Sequence, residues 1–500
     1  MLNVLRKRVG DQNLLNRLGH FSLGLLICFS TLSAEESFKD FKKSQSDSFK
    51  KYKDERDNAF REYLKQEWGA YKASLSAPLY ENKKPLEILQ TTPQAIKPAG
   101  PKINIQIEGI KKVEEKLPED NATSKGRQTI IISLETKPKD IIFDFYGTKL
   151  GFDIPEGIKK ANYYPQNQVG ISNFFNTAAS SEYEALILDI QKVSKMMNLN
   201  DWGIYLLVSK ISQSLFTSQD NAKLLSWFIF SKLGYAVKIG LANTHVVLMH
   251  YSEKIIYSTL NCSFGDKKYY VVANYAKENL GRVFSYKQDY PNSTKALDLS
   301  LDTLPLLEEN TQSKTLSFSQ FGKSYALPIT YNKNLIDFMS SYPQADYETF
   351  FNAPIESKTY RDLAASLKKY IDGKNASEAL NFVLNFVQNA FKYEQDDQQF
   401  GREKVMFAQE TLYFNKSDCE DRAILFSYLV KELFNISVIG VKYKDHMSTA
   451  IYIPIEGDNV MAGNKKYVIA DPTYIDANIG MSMPKYKSIK PQSYIFIKKD

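Results

Sequence analysis

The sequence predicts an α+β protein whose centre is a buried helix packed on an antiparallel sheet, present twice. Three observations predict it. Ala423, Ile424, Leu425, Phe426, Tyr428, Leu429, Val430 and Leu433 cover most of a helical circumference, so that helix is expected to be buried nearly all round. The following stretch, "KDHMSTAIYIPIEGDNVMAGNKKYVIADPTYID", reads as a β-hairpin: a strand from His446 to about Ile453, a Gly-containing connection, and a strand from Lys466 to Ala470. A weaker form of the same pattern lies 200 residues upstream, in "QDNAKLLSWFIFSKLGYAVKIG" and "HVVLMHYSEKIIYSTLN".

Length and composition bound the rest. A chain of 500 residues that is 43% hydrophobic and 24% charged has apolar side chains enough for the cores of two or three domains. Its net charge of +7 is spread over 64 basic and 57 acidic residues, with no Lys/Arg block of the kind that tracks a phosphate backbone, so no nucleic acid partner is expected. P-loop, dinucleotide and HExxH motifs are absent from the sequence, and neither a cofactor nor a metal is expected.

Residues 1–34 read as an export signal. Arg6, Lys7, Arg8 and Arg17 lead, Phe21 to Leu32 form an apolar core, and Ser33 and Ala34 supply small residues for cleavage. That core is too short to span a bilayer, so the mature protein is expected to be exported, periplasmic or cell-envelope associated, and not transmembrane. Cys28 leaves with the signal unless it anchors a lipid, a role for which Ile27 is a poor preceding residue. Cys262 and Cys419 remain, which leaves one disulfide open to them and no framework.

Residues 35–76 form a charged segment in which Phe38, Phe49, Phe60 and Tyr71 recur every eleven residues, with Phe41, Tyr52 and Tyr63 three places after the first three. Eleven residues make three turns, so the rings share one face of a nearly straight helix or a slightly right-handed coiled coil. That face is expected to pack on the rest of the protein or on a copy of itself, with a cell-envelope surface or partner as the alternative. Residues 77–139 carry Pro78, Pro85, Pro93, Pro98 and Pro101 and then "EDNATSKGRQ", and read as a tether of low order. The upstream pattern occupies 140–285, a small β-rich module is expected at 286–358, and the downstream pattern occupies 359–500.

Chemistry is expected in the last of these. Ser417, with Glu420 three places on, makes a capping box that puts Cys419 in the first turn of its helix. Unpaired N–H groups and the helix dipole favour a thiolate there, whereas Asp418, Glu420 and Asp421 oppose it, so a cation must come from elsewhere. His446 opens the first hairpin strand and Asp471 closes the second, so an antiparallel pairing brings both to one end. If that end faces the helix tip, Cys419 is a nucleophile, His446 its base and Asp471 the carboxylate that orients the imidazole. Each residue alone is more often structural: a core thiol, a strand-start histidine, a turn aspartate before Pro472. Their order and contexts together point to catalysis.

At these residues the chain resembles the transglutaminase-like superfamily, the papain-like group that includes transglutaminases and bacterial cysteine peptidases. "SDCEDRAILF", "DHMSTAIYI" and "KKYVIADPTY" look like its three catalytic segments, and the resemblance covers about Tyr360 to Met483. It implies Cys419, His446 and Asp471 as catalytic residues and a protein or peptide substrate. The backbone N–H of Cys419 is then one oxyanion donor, with Tyr393, Gln395 and Gln399 as options for the other. Peptide hydrolysis is expected first; acyl transfer to an amine, and a fold that only binds, stay open. Some secreted bacterial peptidases that resemble this group bind Ca²⁺. Asp418, Glu420 and Asp421 offer carboxylates for it, but no loop glycine or fuller oxygen set accompanies them, and helix capping accounts for them more simply.

Shifted by 200, the upstream pattern sets Leu225, Leu233, Ile239 and Gly240 against Leu425, Leu433, Ile439 and Gly440 and, after one deleted residue, His245 against His446. Gln219 stands where the cysteine would be, and no acid lies near Leu260 or Asn261, where a counterpart of Asp471 is expected. The region reads as an inactive copy that binds or shapes substrate or supports the active one; the alternative is a coincidence of apolar periods. His245 and His250 are expected to be structural rather than metal ligands, and Cys262 has no base at motif spacing.

Overall fold

The computed structural model describes residues 44, 45, 48, 50–66, 68–105, 138–272 and 280–498. The expected export signal at 1–34, and Phe38, Phe41 and Phe49 of the aromatic repeat, lie outside the described residues. The chain divides into two units, 1–60 and 61–500. In the first, residues 50–60 are helical, with Tyr52 exposed and Phe60 buried. The aromatic repeat does not continue as one helix through residue 76. Helical backbone ends at residue 64, and Tyr71 lies in the strand Gly69–Lys72, opposite Val283. A sheet edge offers that stretch ladder hydrogen bonds, and its burial alternates with the two-residue period of a strand.

Residues 61–500 are mixed α+β and contain two antiparallel sheets in which five strands run in the same order. Upstream the order is Arg282–Ser285, Val237–Ala242, His245–Tyr251, Lys267–Tyr270, Leu260–Phe264. Downstream it is Ser493–Phe496, Val438–Lys442, Met447–Ile451, Lys465–Ala470, Asn459–Ala462. In each half a helix immediately precedes the central hairpin and packs on it: Gln219–Lys232 upstream, Cys419–Phe434 downstream. The second is buried over nearly its whole length, as its apolar circumference predicts.

Gly240 and Gly440 mark the same constraint in the two sheets. A Cβ on Gly240 would stand 2.2 Å from Val283 Cγ1, and one on Gly440 would stand 2.9 Å from the Phe351 ring and 3.2 Å from Ile495 Cβ. Each glycine lets the outer strand close against its neighbour. The upstream sheet is further tied by one stretch of chain, since Gly69–Lys72 pairs with Arg282–Ser285 at one edge and Ser74–Leu75 with Leu260–Phe264 at the other.

Two expected segments take a different form. Within the supposed tether, residues 77–105 lie along the downstream half: Asn82 N donates to Lys444 O (3.1 Å), Thr91 N to Ile475 O (3.0 Å), and Ile103 N to Lys374 O (3.0 Å). Prolines keep this chain extended and remove donors, and several of its remaining N–H groups find single acceptors on the domain surface, carbonyls or side chains such as Ser377 and Asp372, instead of a ladder. The alternation in 286–358 becomes one hairpin, Thr311–Gln320 with Lys323–Asn332, followed by the helices Lys333–Ser340 and Tyr347–Asn352, and not a β-rich module. A lone hairpin cannot bury itself, and the helix Ser357–Ile371 covers it. Among the described residues no helix is long and apolar enough to cross a membrane.

The glycines give a stability test. Gly240→Ala is expected to cost about 1–3 kcal/mol by overpacking against Val283, read as a lower denaturation midpoint in urea. Gly440→Ala should cost less, because the nearest obstacle is the far edge of the Phe351 ring, which can turn.

Candidate active site

The cysteine helix begins one residue later than its capping sequence predicts. Asp418 is the N-cap, and its N–H donates to Asp421 Oδ2 (3.2 Å), so the reciprocal carboxylate is Asp421 and not Glu420. Ser417 instead ends the two-residue strand Lys416–Ser417, parallel to Lys392–Tyr393, and its hydroxyl accepts from Arg422 Nε (3.1 Å). Cys419 is therefore the first helical residue, among the N–H groups that have no partner within the helix.

His446 stands immediately before the strand Met447–Ile451, and Asp471 immediately after Lys465–Ala470. Register sets Thr449 opposite Ala470, which brings the two side chains to one end as the antiparallel argument predicts. His446 Nε2 lies 2.8 Å from Asp471 Oδ2, and Asp471 Oδ1 accepts from Thr473 N (2.9 Å). Gln388 Nε2 holds the backbone carbonyl of Asp471 from behind (3.1 Å). Tyr486 stacks on the imidazole, centroids 4.8 Å apart and planes at 20°. The other ring nitrogen, Nδ1, is buried and makes no hydrogen bond among the described residues.

The sulfur departs from expectation. Cys419 is fully buried, and its thiol donates to Glu420 Oε2 (3.1 Å) instead of to His446. The Tyr80 hydroxyl lies 3.7 Å from the sulfur and donates to the same carboxylate oxygen (3.0 Å). Burial, and then the charges of Glu420 and Asp418, push the thiol well above its ordinary range, against the opposing pull of Lys84. The partial charge of a helix tip does not offset two carboxylates in a dry site, so the thiol is neutral in this arrangement.

The cation that the flanking carboxylates require is Lys84. Its ammonium donates to Asp396 Oδ2 (3.0 Å), Glu403 Oε1 (2.7 Å) and Glu420 Oε1 (2.8 Å), and to Asp418. Burial works against its charge, but Asp418, Glu420, Asp396 and Glu403 outweigh burial and hold the lysine well above its usual value. Burial, and then repulsion from Asp396 and Glu420, push Asp418 and Asp421 well above the ordinary carboxylate range. Asp418, Cys419 and Glu420, then Asp396, Glu403 and Glu420, then Asp396, Asp418 and Asp421 each bring three ligand atoms within 4.8 Å of one another. These are the groups among the described residues with donor sets suited to a metal ion, and His245 and His250 belong to none of them. Lys84 was missed because its neighbours Lys83 and Pro85 read as tether; the signal available was the unbalanced charge around Cys419.

Two of the three candidate oxyanion donors hold carbonyls of that same segment. Tyr393 donates its hydroxyl to Pro85 O (2.8 Å), and Gln395 Nε2 donates to Lys84 O (2.7 Å) and Pro85 O (3.1 Å). Gln399 has a buried Oε1 without a hydrogen-bond partner among the described residues.

The chain matches no family model, no curated protein and no solved structure. What the site can do rests on its own geometry.

The upstream half carries a different set at the matching positions. The strand paired with His245–Tyr251 is Lys267–Tyr270, so a counterpart of Asp471 belongs beyond the end of that strand, and not near Leu260 or Asn261. Gln219, His245 and Val271 line one cleft of about 690 Å³, with Ser209, Gln213 and Lys223. His245 is exposed with Nδ1 3.4 Å from Asp220 Oδ2, while burial drives His250 down to about 3 and keeps it neutral. Cys262 and Cys419 are both free thiols, and burial raises Cys262 to about 11.

The acid cluster predicts a pH dependence. Burial and repulsion from Glu420 push Glu403 up to about 8, and burial raises Asp396 to about 6, each against the pull of Lys84. Both bind protons more tightly folded than unfolded, so the stability they contribute is complete below about pH 4 and is lost as pH rises through about 6 and about 8. Thermal melts should fall across that window, and Glu403→Gln should flatten the upper part; a native melting temperature that climbs from pH 5 to 8 would contradict the assignment.

Proposed function

We propose that this protein is a thiol enzyme of the transglutaminase-like type, in which Cys419 attacks an amide carbonyl and the acyl-enzyme is resolved by water, giving peptide hydrolysis. The observation that carries this reading is the His446–Asp471 pair, with Nε2 held 2.8 Å from a carboxylate and Nδ1 buried and unbonded. A carboxylate on Nε2–H fixes the tautomer whose Nδ1 lone pair accepts a proton. A thiol turned from Glu420 to Nδ1 gives up its proton there, and Asp471 stabilises the imidazolium. The sulfur then bonds the carbonyl carbon, the oxyanion meets the N–H of Cys419, and the imidazolium protonates the departing amine. Water, deprotonated by the same nitrogen, attacks the thioester and releases the acid. Tyr393 and Gln395 supply further carbonyl donors at the same rim.

The shared strand order and the paired glycines support a duplicated papain-like core, with the upstream copy lacking thiol and acid. The signal-like residues 1–34 support an exported, periplasmic or envelope-associated protein, for which the N-terminal helical segment is a candidate contact with an envelope partner. A second reading, a recognition module that retains an idle cysteine, is favoured by the bond from the thiol to Glu420.

Alkylation separates the two. In a chain carrying Tyr80→Ala, which uncovers the sulfur, iodoacetamide is expected to modify Cys419 below pH 7, and His446→Ala added to it to slow that reaction by about 10²-fold. Equal rates in the two proteins assign Cys419 to a scaffold. Cleavage of a peptide pool, lost in Cys419→Ala, establishes hydrolysis, whereas incorporation of a labelled amine without cleavage identifies an acyltransferase.

A further inference from the structure

Residues 79–85 enter the candidate site as a ligand would. Leu79, Tyr80 and Lys84 are buried, whereas Glu81, Asn82 and Lys83 between them are exposed, so alternate parts of one short segment are received by the domain. Tyr80 sets its hydroxyl 3.7 Å from the Cys419 sulfur, and its ring meets Tyr347 edge-on. Tyr393 and Gln395 hold the main-chain carbonyls of Lys84 and Pro85, contacts that any extended polypeptide could make. Side-chain selection falls to the pocket around Lys84.

That pocket exceeds what one structural ion pair needs. Four carboxylates accept from one ammonium, Asp421 stands behind them, and Asp396 Oδ1 and Asp418 Oδ1 are buried without a partner among the described residues. Burying so much like charge opposes folding, and one carboxylate would have neutralised the lysine. The segment is also delivered from a fixed point, because residues 69–75 are tied to both edges of the upstream sheet. A tethered segment has an effective concentration that a free ligand must overcome.

We propose that residues 79–85 are a resident occupant of the thiol site, and that the acid pocket filled by Lys84 is a specificity pocket for the ammonium group of a lysine-bearing polypeptide segment. The proposal rests on the reading of the Cys419 centre as a polypeptide-binding site, but it is tested by occupancy and not by turnover. The occupant blocks without being consumed, because a phenol offers the sulfur no acyl carbon.

The test uses the full chain carrying Lys84→Gln and a synthetic peptide of residues 77–89, APLYENKKPLEIL. Loss of the lysine contacts should speed iodoacetamide alkylation of Cys419 by about tenfold or more relative to the native chain. Added peptide should restore protection; the same peptide with glutamine at the Lys84 position should not, and one with glutamine at the exposed Lys83 position should. An unchanged rate in Lys84→Gln, or protection indifferent to the lysine, overturns the proposal. If Lys84→Gln does not fold, Tyr80→Ala leaves the ion cluster in place and must also raise the alkylation rate, and no rise overturns it. Lysine-dependent protection with no cleavage of any peptide would keep the pocket and remove the enzyme reading, whereas cleavage without lysine preference would do the reverse.

Discussion

One ammonium group in a dry nest of carboxylates governs the downstream half. Asp396, Glu403, Asp418 and Glu420 come from a short helix, a loop and the tip of the cysteine helix, and they converge on Lys84 from a segment more than 300 residues earlier in the chain. At low dielectric such a group of acids repels strongly unless cations or protons intervene. The lysine therefore does more than join two parts of the chain. It sets which acids keep protons, and so the potential in which the Cys419 thiol sits.

That potential explains why Cys419 and the His446–Asp471 pair are not engaged with one another. The hairpin delivers His446 to Asp471 with good geometry, and the helix delivers Cys419 at its first residue. Between them the electrostatics favour a neutral thiol bonded to Glu420, under Tyr80. Moving the thiol proton to His446 would create a charge separation beside carboxylates already short of cations. Removing the buried segment from such a site hydrates the sulfur, which favours its ionisation, and takes away the Lys84 charge, which opposes it.

The two halves show how one strand order supports different surfaces. Where the downstream half has Cys419 buried under Tyr80 and a His446–Asp471 pair at the end of its hairpin, the upstream half has Gln219 and His245 on an open cleft. The glycine in the second strand persists in both because the outer strand must approach its neighbour in either case. The constraint belongs to the sheet; the chemistry belongs to the residues at its end.

The sequence by itself determined the features that depend on near neighbours: the buried helix behind Cys419, the hairpin that sets His446 beside Asp471, and the recurrence upstream of a buried helix followed by antiparallel strands, though the strand expected beside His245–Tyr251 at 255–261 gives way to Lys267–Tyr270. Periodicity and strand antiparallelism act over a few residues or across one turn, so a linear reading finds them. It erred where pairing with a distant edge overrode local preference. Tyr71 left the helical repeat for a strand against Val283, the cap moved from Ser417 to Asp418, and prolines that signalled a tether instead described an extended chain bound along a domain. Only the tertiary structure decided that Lys84 would face Asp396 and Asp418, that Tyr80 would cover the sulfur, and that the thiol would turn to Glu420. Contacts between residues hundreds of positions apart carry no local period, and burial, which fixes their electrostatics, exists only once the chain has folded.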